Sequence, residues 1–320
     1  MRPAHRIIAV ALPLLYGSAA HASCGSAFCL VNTNWSLQGV WTQPGPHADL
    51  RFEYIDQDQP RQGTHDVAVG AIPAHHDEVR TINRNLLASV DYGFDETWGI
   101  TAMLPVVDRS HTHIHNHHGA KIVETWSFTA PGDMRVMGRY QAYFGAAAGE
   151  RAGFAGGTAG FTLPTGATDI TNGTGAPAER SLQPGTGTTQ FAATVYYREA
   201  LPSMRSQWYV QAAMQVPLYE SAGYKPGTQW ALDAGWRYDA SDALGFNLQL
   251  NYAWKGRDAG AQAEPGDSGG RTLAIAPGAT WALTPATQLY GFVSVPVYQD
   301  VNGVQLTARW SLAAGISVQF

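Results

Sequence analysis

Five histidines lie within eight residues, in the string Ser-His-Thr-His-Ile-His-Asn-His-His-Gly: His111, His113, His115, His117 and His118. Side chains alternate faces on an extended chain, so the four odd-numbered rings share one face, about 6.6–6.8 Å apart. Imidazole is the commonest metal-ligating side chain and suits Zn, Cu and Ni. His65, His75 and His76 stand in a preceding polar stretch, so eight of the nine histidines after residue 22 occupy two neighbouring segments. Asp66, Asp77 and Asp108 add carboxylates nearby. The expectation is a divalent transition-metal site drawn from His75, His76, His111, His113, His115, His117 and His118. The competing reading is a polar loop that is merely rich in histidine, since the spacing specifies no one ion. Nothing else in the sequence calls for a cofactor.

Cys24 and Cys29 are the only cysteines. They follow a stretch that reads as a secretory signal over residues 1–22. Arg2 and Arg6 supply its positive start, 7–15 its short apolar run, and Ala20-His21-Ala22 its small-x-small cleavage site. In an exported chain two cysteines this close are expected to form a local disulfide. Cys-x-x-Cys-His is absent, which removes covalent haem attachment. Without residues 1–22 the formal charge is 18 − 25 = −7. An acidic chain has no electrostatic footprint for nucleic acid.

The elements that carry these residues are strands. Charged residues are 14% of the chain, against about 25% in soluble domains. After residue 20 no run of ~18 apolar residues occurs, which excludes a helical membrane protein. From Leu306 the even positions read Leu306, Ala308, Trp310, Leu312, Ala314, Ile316, Val318 and Phe320, while the odd positions are polar or small. The same alternation marks 207–218, 229–239 and 244–255. Such segments reach the ~9–11 residues that cross a bilayer as tilted strands. Connections alternate between short turns, near 95–97, 145–151, 202–204, 240–242 and 284–286, and longer polar stretches at 57–76, 110–132, 165–187, 220–227, 256–270 and 300–305. Aromatic residues flank the short turns: Phe94 and Trp98, Phe144 and Phe154, Tyr197 and Trp208, Tyr238 and Phe246. That is where a membrane-surface girdle sits.

The predicted fold is all-β: a closed, antiparallel, up-and-down transmembrane β-barrel of about twelve strands, at 47–57, 78–94, 98–109, 133–144, 152–164, 188–200, 206–219, 228–239, 244–255, 271–283, 288–299 and 306–320. Closure satisfies every backbone group inside lipid, which an open sheet cannot do. Residues 290–293 are apolar on both parities and make the eleventh strand the weakest. Residues 23–46 form a separate N-terminal segment, expected to plug the lumen or hang in the periplasm. The inner face is expected to hold Asp49, Arg51, Glu53, Arg84, Asp91, Asp133, Arg135, Arg139, Arg198, Asp233, Arg237 and Arg309, since such charges are costly at the lipid midplane. They would form either a salt-bridge lattice filling the barrel or a polar conduit. Closing the last strand on the first would bring Arg309 to Asp49 or Glu53.

A family pattern accompanies this layout. Pro131-Gly132-Asp133-Met134-Arg135-Val136-Met137-Gly138-Arg139-Tyr140 resembles the Gly-Asp…(Lys/Arg)-Tyr strand of the meta-pathway phenol-degradation outer-membrane family, and Pro184-Gly185-Thr186-Gly187-Thr188-Thr189 resembles its Gly-rich loop. The resemblance spans most of residues 80–320 and implies a bacterial outer-membrane barrel of transport type for hydrophobic or aromatic compounds. A terminal Phe320 on an alternating strand is what such barrels present to the barrel-assembly machinery. The expected partners are therefore outer-membrane lipid, that machinery and a small solute. The expected function is passage or binding of that solute. The alternatives are a metal-binding surface barrel using the outer histidines and a loop-based hydrolase. The His-x-Ser-Asn-Gly stretch of barrel phospholipases is absent. The Gly153–Gly157 run sits in strand pattern and does not open a helix, so it is not a phosphate loop.

Overall fold

The computed structural model describes residues 30–34, 38, 44–73, 76–117, 119–145 and 152–320. The expected signal at 1–22, the Cys24–Cys29 pair, His75, His118 and the turn at 146–151 lie outside the described residues. Among those described, the strands are β1 (Gly45–Gly63), β2 (His65–Asp66), β3 (His76–Gly93), β4 (Trp98–His117), β5 (Ala120–Pro131), β6 (Met134–Gly145), β7 (Ala152–Leu163), β8 (Gln190–Leu201), β9 (Ser206–Pro217), β10 (Gln229–Asp239), β11 (Leu244–Lys255), β12 (Gly270–Thr284) and β13 (Thr287–Gln319). No helix here is long and apolar enough to cross a membrane.

The ring of antiparallel pairings runs β1, β3, β4, β6 and on through β13, which returns to β1, so the wall is closed; β2 and β5 are attached outside this path. Of the eleven elements in the ring, β13 makes two passes. Its first arm, to Val301, pairs with β12, and its second arm pairs with β1 from Val304 to Gln319. The chain reverses at Gly303, which takes φ +58°, and the Gln299 side chain donates to the Ala308 carbonyl across the two arms at 3.1 Å. Eleven elements plus one extra arm give twelve crossings, and closure leaves no strand edge unpaired in lipid.

Strict alternation builds the two faces. Leu86, Val90, Trp236, Phe246, Leu248, Leu250 and Trp310 point outward and are exposed, while Glu53, Asn83, Asn85, Gln249 and Asn251 point inward and are buried. Exposed Trp98 and Tyr140 pack at 4.8 Å near the short turns, as do Tyr197 and Trp208 at 5.2 Å, forming the expected girdle. Phe154 does not join it. It is buried in the lumen with Tyr196 and Tyr209. The doubly apolar 290–293 stretch also has a cause: Tyr290 and Phe292 point inward, against Val31, Ile55 and Ala313.

Two predicted luminal charges lie elsewhere. Arg84 has the parity of Leu86 and stands outside, 2.8 Å from Asp108 with 43% of its side chain exposed. Toward the long-loop end an outward charge reaches water, so its cost falls away. Arg309 is 68% exposed and lies by Asp58 at 3.9 Å. Register slips between Ile55 and Gln57 and again before Gln59 break the parity of the last strand above Trp310. Leu306 and Ala308 consequently turn into the interior. Asp49 and Glu53 face Ser317 and Ala313, so Arg309 meets neither.

The wall is taller on one side. β1, β3 and β4 have 19, 18 and 20 residues, against 12 each in β6 to β9. The expected loop at 110–132 is largely a hairpin, with β4 from Val106 to His117 pairing with β5. The period of two simply continues there, with β-branched Thr112, Ile114, Val123 and Thr125 alternating with His111, His113, Glu124 and Trp126. The chain kinks at Gly132, whose N–H donates to the Pro105 carbonyl at 2.8 Å, and β6 then takes over the lower half of β4.

Candidate functional site

The described residues of the N-terminal segment lie inside the barrel and bond to its wall. Asn32 accepts and donates through its backbone with the Gln249 side chain, both at 2.9 Å, and its amide reaches Asp233 at 3.3 Å. The Arg51 guanidinium donates to Thr33 Oγ1 at 2.5 Å and pairs with buried Glu53 at 2.8 Å. Gln207 donates to the Gln38 carbonyl. The described residues of this segment are thus bonded to at least four strands from inside, as a plug.

Above the plug is a chamber of about 450 Å³, with Leu30 in its lining. Its shape follows from side-chain size at one level of the barrel. Thr194, Ala213, Ala231, Ala253 and Thr272 face inward on five successive strands and are register partners in turn. Five small side chains leave space that larger ones would fill. Met137 and Ile55 add apolar lining, while Arg135, Gln215, Gln57, Lys255, Arg271 and Gln299 add polar and charged lining. Arg135 donates to Thr162 Oγ1 at 3.2 Å and to Gln215 Oε1.

The loop at 164–189 folds back over the mouth. Asp133 anchors both its ends, accepting from Gly166 N at 3.0 Å and from Thr186 N and Oγ1 at 2.8 and 2.7 Å. Buried Leu182 packs on Trp126 and Leu306 from different parts of the wall. The fully buried Arg109 donates to the Leu182 carbonyl and to Asn83 Oδ1.

The remaining luminal charges lie where the alternation puts them, some paired with an opposite charge and others bonded to neutral polar groups. Asp91 takes Thr101 Oγ1 at 2.7 Å, His47 at 3.4 Å and Arg139 at 3.9 Å. Arg198 donates to Gln207 and lies over the Phe154 ring. Arg237 pairs with Asp239 at 2.7 Å. Asp49 accepts from the Tyr290 hydroxyl at 2.9 Å.

The histidines divide. His111, His113 and His76 are buried at the long-loop end, with His76 and His113 rings stacked at 4.7 Å. His115 and His117 continue the same face outward, with His117 exposed. Sequence reasoning missed the carboxylates among them. Glu78 shares a strand face with His76 two residues away, a signal that was readable. Glu124 lies opposite His113 across β4–β5, and Glu179 arrives from the 164–189 loop, which only folding reveals. Glu264, in the loop before β12, has its carboxyl held well above the usual range by burial and by nearby Glu179 and Glu78.

No protein-family model matches the chain, and no curated protein matches it. Solved structures do. The outer membrane channel of Pseudomonas putida F1 is similar with a TM-score of 0.65 at 12% identity, over 88% of this chain and 97% of that one. Looser likenesses are the NanC porin, at 0.45, 12% identity and 85% and 100% coverage, and the CymD monoaromatic hydrocarbon channel, at 0.40, 8% identity and 88% and 90% coverage. The fold is that of bacterial outer-membrane barrels.

Proposed function

We propose that the protein is an outer-membrane channel that admits a small solute with a largely apolar body to the luminal chamber, for passage across the membrane. The observation that carries this reading is the level of small inward residues, Thr194, Ala213, Ala231, Ala253 and Thr272, above the plug. A barrel serving only as a packed scaffold fills that level with larger side chains, as it does with Tyr196, Tyr209 and Phe154 lower down. A chamber of about 450 Å³ lies within the usual range of small-molecule pockets, roughly 300–1,000 Å³. Its lining mixes small and apolar side chains with polar and charged ones, Arg135, Gln215, Lys255 and Arg271 among them, which suits a monocyclic aromatic bearing an acceptor group. The resemblance of the 131–140 string to the meta-pathway phenol-degradation outer-membrane family agrees with this reading; in the structure its Asp133 anchors the mouth loop and its Arg139 lies by Asp91 inside the wall.

Proteoliposome uptake tests the reading, with benzoate as the probe and glucose as the comparison. Benzoate is expected to enter faster than glucose. Ala231→Trp, which fills the chamber from the wall, is expected to lower benzoate uptake at least tenfold in a barrel that still shows heat-modifiable migration. Equal entry of both probes, or uptake indifferent to Ala231→Trp, would overturn it.

A further inference from the structure

Three separate stretches of chain bring metal-ligating side chains to one buried point at the mouth. His76 and Glu78 come from the start of β3, His113 from the outer part of β4, and Glu179 from the loop that folds over the lumen. One ligand atom from each lies within 4.8 Å of all the others. His76 Nε2 is 3.2 Å from Glu78 and 3.0 Å from Glu179, and His113 Nδ1 is 3.9 Å from Glu179. Ligands about 2.0–2.1 Å from a tetrahedral ion stand roughly 3.3 Å apart, so a small contraction of the widest pairs makes a coordination shell.

We propose that His76, Glu78, His113 and Glu179 form a binding site for a divalent first-row transition ion of the Zn²⁺ type, which clasps the 164–189 loop to the barrel wall.

Second contacts aim the ligands inward. His113 Nε2 meets Glu124 at 3.1 Å, which turns Nδ1 toward the centre; a carboxylate on the far ring nitrogen is the usual support of a metal-bound histidine. His111 is held by Thr81 Oγ1 on Nδ1 at 2.9 Å, so its Nε2 faces Glu78 at 3.6 Å and His113 at 3.4 Å. It stands ready as a fifth ligand or as a wall of the site. Two imidazoles with two carboxylates and no thiolate match a borderline ion such as Zn²⁺ or Co²⁺ better than Ca²⁺ or Mg²⁺, which take oxygen shells. His76, Glu78 and His113 are at most 5% exposed, so the arrangement differs from a solvated acidic surface. The exposed His117, which the sequence pattern places in the same set, takes no part.

The test uses untagged, chelator-stripped protein in detergent, titrated with Co²⁺ and followed by its d–d absorption, then by Zn²⁺ competition. The expected result is one equivalent bound at micromolar Co²⁺ and displaced by Zn²⁺. Glu179→Gln and His113→Ala are each expected to weaken binding at least tenfold, while His117→Ala and His65→Ala leave it unchanged. Zn²⁺ is also expected to slow amide exchange across 176–183 in the wild type and not in Glu179→Gln. Glu179→Gln is nearly isosteric and lies on a loop, so it decides the matter if His113→Ala fails to fold. No Co²⁺ spectrum at micromolar concentration, or binding as tight in Glu179→Gln as in wild type, would refute the site. Loss of binding in His117→Ala would move it to the outer histidines and refute this ligand set.

Discussion

Glu53 is the most demanding single residue in the wall. Its side chain is fully buried, and the Arg51 guanidinium 2.8 Å away neutralises it. Breaking a buried pair by removing one partner leaves an uncompensated charge and costs about 3–5 kcal/mol. Arg51→Ala is therefore expected to lower the denaturant midpoint markedly and to free Thr33 of the plug, whereas Arg309→Ala on the exposed rim is expected to change it by less than about 0.5 kcal/mol. Equal effects in an unfolding titration would contradict the placement of both arginines. Arg84 and Arg309 show what parity counting needs. Arg84 shares the parity of outward Leu86 in β3, so its outward position is legible in the sequence. Arg309 depends on register slips that no local pattern announces.

At the scale of the element, the weak-looking 287–301 arm is strong because its inward face is aromatic. Phe292 lies over Gly278 of β12, where an added Cβ would sit 2.2 Å from the ring, and Tyr209 lies over Gly235 in the same way. These glycines are spaces for a neighbour's ring. Gly278→Val is expected to destabilise the folded barrel by about 1–3 kcal/mol, the usual penalty of overpacking. The check is the temperature at which the compact band on a denaturing gel converts to the unfolded one. An unchanged conversion temperature would mean that Phe292 has another place to go. The β4–β5 hairpin belongs to this scale too. It rises above the rest of the wall because inward His111, His113, Glu124 and Trp126 all find partners inside the mouth.

At the scale of the whole molecule, the barrel holds a segment of chain against its wall on either side of the chamber. Below the chamber, Asn32 and Gln38 hold the N-terminal segment to Asp233, Gln249 and Gln207. Above it, Asp133 and Arg109 hold the 164–189 loop. Neither attachment is covalent among the described residues; each is made of hydrogen bonds worth about 0.5–1.5 kcal/mol net apiece, or about 1.5–3 where an ionised group takes part. A chain lacking residues 23–40 is expected to show a severalfold larger single-channel conductance in planar bilayers than the chain that retains them. Equal conductance would mean that the narrow point lies at the mouth loop instead.

The barrel was legible from the chain because its cause is local. Each strand must turn apolar atoms to lipid and polar atoms inward, a constraint that acts residue by residue and writes a period of two over 306–320, 244–255 and 229–239. Strand number, the girdle at Trp98 and Trp208, and most inward charges follow from that period alone. The chamber, the plug and the mouth were decided by tertiary structure, because each depends on which residues share a level across strands far apart in sequence. Ala213, Ala231 and Ala253 are ordinary alanines until register aligns them. Glu179 is an ordinary loop glutamate until the loop folds back and sets it 3.0 Å from His76, 103 positions earlier in the chain. Side-chain alternation is a property of one strand, whereas the contents of a closed space are a property of all of them together.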